Sequence, residues 1–275
     1  MTDQTTHPAP AEAPAEEVRV RKDRRVLRAA LRWTAAVVVF AVAGAGTAYG
    51  ITRMERTDVP GLGTESDGRW DFPALTRPPL PSGSPGPFAE DNPAGTHHAD
   101  LRALLLPAPE GATEIAKLRG TDGWLPTEDF LAEYPHEEDR TALRMKLTDA
   151  GLRHIAARGW TTGDGTRTRV YLLHFGTAEV VDSLFSGHLV PYDQSVHRVR
   201  GADLSAFEEG LSAESEVDDV WRSVQVEQKP YGSEQVRHAY LAAGDVLALI
   251  VQSREGTAPA VPFHQTLTLQ SQLLG

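Results

Sequence analysis

Seven carboxylates fall between residues 203 and 219, with no lysine or arginine among them. The densest part holds Glu214, Glu216, Asp218 and Asp219. Side chains of this type at this spacing have three chemical uses. They can hold divalent cations through hard oxygen donors, or dock a basic partner. A pair of them can also act as general acid and base on a glycoside, which requires an apolar pocket that raises one of the two pKa values. A loop this rich in charge supplies no such pocket. The four residues are therefore candidate partner-binding residues, set against the plainer expectation of a solvated surface loop with a short helix.

Other chemistry is thin. Trp124, Trp160 and Trp221 are candidates for stacking on sugars, although most tryptophans pack in cores or at their rims. His97, His98 and Asp100 could form a ligand group, but adjacent histidines in a polar stretch are expected to be solvated. His136 with Glu137, Glu138 and Asp139 reads as a helix start, where carboxylates favour the positive end of the dipole. His154, His174 and His238 fall in predicted strands and are expected to be hydrogen-bonded structural residues. The chain contains no H-E-x-x-H, no EF-hand spacing, no phosphate-binding glycine loop and no G-x-S-x-G. Ser186 lies near His188 in sequence, which does not establish a triad. Cysteine is absent, which excludes a cysteine nucleophile, a thiolate metal site, a disulfide and a lipid-bearing cysteine. No catalytic, cofactor or metal residue is assigned, and the expectation is a protein that is not an enzyme.

The elements that must position these residues are regular after about residue 101. Residues 127–134 predict a short helix capped by Thr127. Residues 137–149 predict a second, with Leu143 and Leu147 on one face and Gly151 ending it. Residues 152–161 and 168–175 predict strands joined by a turn at Asp164-Gly165, followed by a helix over 177–186 capped by Thr177. Residues 236–243 and 245–253 predict a second strand pair turning at Gly244-Asp245, followed by a helix over 259–274. Strand–strand–helix thus occurs twice, with Arg153-His154 echoed by Arg237-His238. The pattern predicts an α+β fold: an antiparallel sheet with helices packed mainly on one face and duplicated ββα units as an option. The run "DVLALIVQS" is apolar on both faces and predicts a central strand covered on both sides.

Upstream of this lies a segment of another kind. Residues 33–51 carry no charge, and as a helix span roughly 28 Å, the thickness of bilayer hydrocarbon. Seven basic residues precede it, from Arg19 to Arg32, whereas Arg53 and Arg56 behind it are balanced by Glu55 and Asp58. This asymmetry predicts a single-pass plasma-membrane protein with a cytoplasmic N-terminus and an extracytoplasmic C-terminal domain. A buried core helix and a signal peptide cleaved near 43 or 45, including one of the twin-arginine type, are the alternatives. Gly46 and Gly50 have the small-residue spacing that allows two helices to approach, hence a homodimer as a further expectation.

The boundaries that follow are a disordered basic tail over 1–32, a transmembrane helix over 33–51, a linker over 52–100 and a folded domain over 101–275. The tail leaves no room for a signalling domain. The linker holds eight prolines and six glycines between 57 and 100, with Trp70-Asp71-Phe72 as the part able to dock. Charge divides as net +2 over 1–32, −3 over 52–95 and −10 over 96–275. An acidic domain argues against nucleic acid or anionic lipid as its partner.

The pieces "LRALLLPAPEGA", "ARGW", "RVYLLHFGTAEVVDSLF" and "AAGDVLALIVQS" resemble membrane-anchored proteins of high-GC actinobacteria. The last unit is weakly similar to the extracytoplasmic sensor domains of mycobacterial serine/threonine kinases and to related lipoproteins with α/β sandwich folds. It departs from the sensors in lacking their disulfide cysteines and a kinase domain. The resemblance rests on packing motifs, implies an exported ligand- or partner-binding domain, and carries no catalytic residue across. The function expected is noncovalent recognition of a protein, envelope component or small ligand. The alternatives are an accessory subunit that positions an envelope enzyme or secretion complex, and a weak envelope hydrolase.

Overall fold

The computed structural model describes residues 24–53, 66–202, 204–208 and 216–275. The chain divides into two units, Met1–Glu65 and Ser66–Gly275. The described part of the first is one helix, α1 (Arg24–Arg53). Its stretch Arg24–Gly50 is long and apolar enough to cross a membrane. Trp33 and Phe40 are 75% and 79% exposed, a surface that suits hydrocarbon better than water. Thr34 and Thr47 return their hydroxyls to the carbonyls of Ala30 and Ala43, so these donors need no water. Helix α1 already includes Arg24, Arg25, Arg28 and Arg32, which were expected in the tail. Arg19, Arg21 and Lys22 lie outside the described residues. A side chain added at Gly46 or Gly50 would meet nothing within 4 Å.

The second unit is α+β. Its seven-stranded antiparallel sheet runs β1 (Thr113–Glu114), β2 (His154–Thr161), β3 (Arg167–His174), β7 (Val246–Glu255), β6 (Glu234–Ala243), β5 (Val220–Glu227), β4 (Ser205–Phe207). Side chains alternate across it. Tyr171, Leu173, Leu247, Leu249 and Val251 enter a core beneath α2 (Thr127–Leu131), α3 (Glu137–Asp149) and α4 (Ala178–Leu184). Val170, Leu172, Val246, Ala248 and Ile250 enter a second core beneath α5 (Ala260–Leu274) and residues 101–106. Three of these four helices share one face. β7 is buried on both sides from Val246 to Ser253 and lies fourth of seven, the place its apolar run demands.

The two ββα units are alike in order and differ in hand. β3 and β7 are antiparallel neighbours, and a two-fold axis exchanging such neighbours stands perpendicular to the sheet. That axis would keep both helices on one face, yet α4 and α5 lie on opposite faces. Local signals fare well elsewhere. Thr177 caps α4 by accepting from the Val180 amide, and Gly165 takes the left-handed φ of +82° in the hairpin turn. Thr127, by contrast, is the first residue of α2 rather than its cap; Pro126 precedes it with no side-chain bond.

Residues 66–100, expected as part of a free linker, belong to the folded unit. They form an extended strap. Trp70 exchanges two 2.8 Å hydrogen bonds with the Gln265 side chain of α5. Phe72 meets Trp160 edge-on at 6.1 Å. Proline-rich chain cannot build a sheet, but it can cover one, because its apolar rings and aromatics pack without needing ladder bonds. Where the strap crosses the β6–β7 turn, Gly95 and Gly244 are both left-handed, and a Cβ on Gly244 would stand 2.2 Å from the Gly95 carbonyl. Only glycine permits that approach.

A fragment starting at Ser66 should therefore unfold in one cooperative transition. One starting at Leu101 should lose several kcal/mol of burial, lowering Tm by roughly 10 °C or more. Thermal melts followed by circular dichroism check this, and equal melting would show the strap to be dispensable.

Candidate functional site

Of the acidic stretch, Glu214 lies outside the described residues, as do Asp203 and Glu209. Part of the stretch expected to be a loop with a short helix lies outside the described residues; of the rest, β4 pairs with residues 225–227 of β5, and 218–219 form a turn. Glu208 is a fastener. Its carboxylate accepts from Arg237 at 3.1 Å and contacts His264 Nε2 at 3.1 Å, tying β4 to β6 and α5. The His264 bond and the Arg237 charge hold its pKa below the usual carboxylate value despite partial burial. Glu216 pairs with Arg222 at 3.4 Å. Asp218 and Asp219 are exposed.

The three tryptophans separate cleanly. Trp160 is wholly buried in the second core, so it is unavailable to a sugar. Trp124 is sandwiched: it stacks on His154 at 4.5 Å, and the Arg102 guanidinium lies 4.9 Å from its ring. Trp221 is 68% exposed. It stands on the face of β5 that also carries Ser223 and Gln225, at the end that β4 does not reach.

Two hollows flank Trp221, and both include Asp219. One, of about 490 Å³, is walled by Phe88 of the strap, by Ala178, Glu179 and Asp182 of α4, and by Gly244. The other, of about 520 Å³, takes in Phe207, Glu216, Asp218 and Arg222. The first gathers three carboxylates beside an aromatic face and, among the described residues, has no lysine, arginine or histidine in its lining. Asp219 holds a left-handed φ of +64°, which glycine would adopt without steric cost. Aspartate there instead adds a carboxylate to both hollows. An indole face together with carboxylates is a receptor for ammonium or guanidinium groups.

The histidines were misplaced by sequence reasoning in two cases. His97, expected in solvent, is buried: Nδ1 meets Asp245 Oδ1 at 2.8 Å and Nε2 meets the Leu274 carbonyl at 2.9 Å. Both partners are acceptors, so both bonds form together only when both ring nitrogens carry hydrogen. His98 is exposed and Asp100 turns to Arg102, so the three do not converge on a metal. Among the described residues no group of three or more potential ligands is assembled for one. Asp245 also receives His174 Nε2 at 3.0 Å and the His97 amide at 3.0 Å. Burial pushes its carboxyl pKa up, but the bonds from His174 and His97 carry it well below the ordinary range. The second case is His238. It is buried in β6 and neither ring nitrogen has a hydrogen-bond partner among the described residues, so there it is not the satisfied residue expected. Desolvation alone pushes its pKa down to about 4.

Elsewhere, Glu133 accepts from the Tyr171 hydroxyl at 2.5 Å and pairs with Arg169 at 2.7 Å, tying the turn after α2 to β3. Ser186 donates to the Asp182 carbonyl and has no part in a triad. Compared with protein-family models and with curated proteins, the chain finds no match.

Acid should loosen the fold in two stages. His238 is neutral when folded and titrates near 6.5 when unfolded, so the unfolded state takes up protons first. Stability is full above pH 6.5 and falls towards pH 4, by on the order of 3 kcal/mol. Asp245 acts below its unfolded value of 3.8, where its depressed pKa withdraws further stability. Urea unfolding from pH 7.5 to 4 should show the first stage in the native chain and its loss in His238→Leu; an unchanged slope would remove His238 as the cause.

Proposed function

We propose that the chain is a single-pass, membrane-anchored recognition protein. Its folded unit stands outside the cytoplasm and binds a basic segment of a protein partner in the hollow beside Trp221. The mechanism is noncovalent: a lysine or arginine side chain lies on the indole and is neutralised by Asp219, Glu179 and Asp182. The observation that carries this is the exposed Trp221 in a carboxylate-lined hollow that, among the described residues, has no basic residue in its wall. The net charge of −10 over 96–275 supports it by drawing cations toward the unit. The basic flank before α1 supports the orientation, and the likeness to exported sensor domains supports the class.

The test uses the full chain in lipid nanodiscs, titrated calorimetrically with a short lysine- and arginine-bearing peptide. Trp221→Ala should weaken binding about tenfold, the size of one well-made cation–π contact. Asp219→Asn with Glu179→Gln should weaken it comparably, and added salt should weaken it further. Binding indifferent to Trp221→Ala but abolished by neutralising Glu214, Glu216 and Asp218 would move the site to the acidic loop. Preference for a neutral oligosaccharide over the peptide would replace the partner class.

A further inference from the structure

A different cavity carries a second inference, independent of the hollow beside Trp221. It holds about 250 Å³ between α3 and the segment after α4. Leu143, Leu147, Leu184 and Leu189, all buried, make its walls, with Val196 at one side. The cavity is a recess open to solvent on one side, where Lys146, Gly187 and Val196 are exposed, with the buried leucines at its floor. Its polar lining is Lys146, His188 and His197, all basic. Among the described residues no carboxylate lines it, although carboxylates line the hollows beside Trp221 and the chain is acidic overall.

The surrounding backbone departs from standard geometry where it borders this space. Residues Phe185–Leu189 form a π-helical turn closed by the Val190 amide on the Phe185 carbonyl at 2.9 Å, and this turn supplies Gly187, His188 and Leu189 to the cavity. Such turns are rare and recur at functional sites. The chain then passes Tyr192 and Asp193, with φ of +55° and +58°, before the Val196 amide bonds the Leu189 carbonyl and brings Val196 and His197 back to the same space. His197 Nδ1 is held by Asp139 Oδ1 at 2.8 Å, and Nε2 has no partner among the described residues. A ring oriented from behind by a carboxylate presents its other nitrogen in a fixed place.

We infer that this cavity is a binding site for a small monocarboxylate with a short apolar chain, its chain among the leucines and its carboxyl group at His197 Nε2 and Lys146. Nε2 serves the carboxyl group either way, donating as imidazolium or accepting from the acid form. The volume suits a free medium-chain acid and is too small for the tail of a membrane lipid.

The experiment uses the full chain in nanodiscs and octanoate bearing a photoactivatable diazirine near its chain end. Labelled peptides are located by mass spectrometry. Labelling should fall within 142–147 and 184–197. Unlabelled octanoate should compete for it about tenfold or more better than octanol, the difference expected of one charge-assisted hydrogen bond. Lys146→Gln with His197→Gln should erase that preference while leaving the fold, read by circular dichroism, intact. Ala142→Phe, which adds bulk at the cavity wall, should abolish labelling. Label confined to α1 would mean partition into lipid only, and equal competition by octanol would mean an apolar void without carboxylate recognition. Label scattered over the unit and unaffected by Ala142→Phe would equally overturn the site. None of these outcomes depends on peptide binding at Trp221.

Discussion

A single buried carboxylate holds this fold together. Asp245 sits in the turn between β6 and β7 with its side chain fully enclosed. Ionised, it would be intolerable there alone. It is tolerated because His97 arrives from the strap and His174 from the end of β3, while the backbone of Asp245 donates to Gly95 and accepts from Phe175. His97 in turn reaches the Leu274 carbonyl near the end of α5. Four segments distant in sequence therefore meet at one charge, and none of them is satisfied without the others.

The same junction shapes the hollow beside Trp221. The strap residues that cross the turn continue into its wall through Phe88, Asn92 and Gly95, and the Ala178 amide at the start of α4 bonds the Ala94 carbonyl. The strap thus closes the second core and fixes α4 against β6, which places Glu179 and Asp182 opposite Trp221. A chain segment that looks in composition like a spacer is a structural layer, and the site depends on it.

Much of the fold was legible because it is local. The runs that became β2, β3, β6 and β7, the Thr177 cap and the Asp164-Gly165 turn are written in adjacent residues. β5 was missed. Its "VWRSVQVE" alternates, but the face carrying Trp221, Ser223 and Gln225 is largely polar and partly buried, so alternation of apolar with polar misstates which side is covered. Of the strap, the docking of Trp70-Asp71-Phe72 was legible from its aromatics, but the rest was not, because prolines signal absence of helix and sheet, not absence of packing. His97 and Asp245 lie far apart in sequence, and no spacing rule pairs them. Trp221 and Asp219 were visible as residue types, whereas their sharing of two hollows is a fact of the sheet edge. The apolar cavity had no signal at all, since the π-turn that walls it reads in sequence as the continuation of a helix.

Four non-glycine residues take a left-handed φ among those described: Asp122, Tyr192, Asp193 and Asp219. Three of the four lie in or near segments that border concave surfaces, and the fourth, Asp122, lies in the turn closed by Thr121 and Trp124. Asp219 borders both hollows at Trp221, and Tyr192 and Asp193 lie in the excursion that returns His197 to the apolar cavity. The π-turn lies at that same cavity. Such conformations persist only where surrounding contacts over-determine them. Around Asp245 those contacts are dense, and there the left-handed residues are the glycines Gly95 and Gly244, which relieve crowding. Gly95 and Gly244 also line the hollow beside Trp221, so the left-handed turn next to Asp245 and the wall of that hollow are one piece of backbone. Asp219, on the same wall, takes a left-handed φ with a side chain in place, and the small steric cost there accompanies a carboxylate held beside the indole.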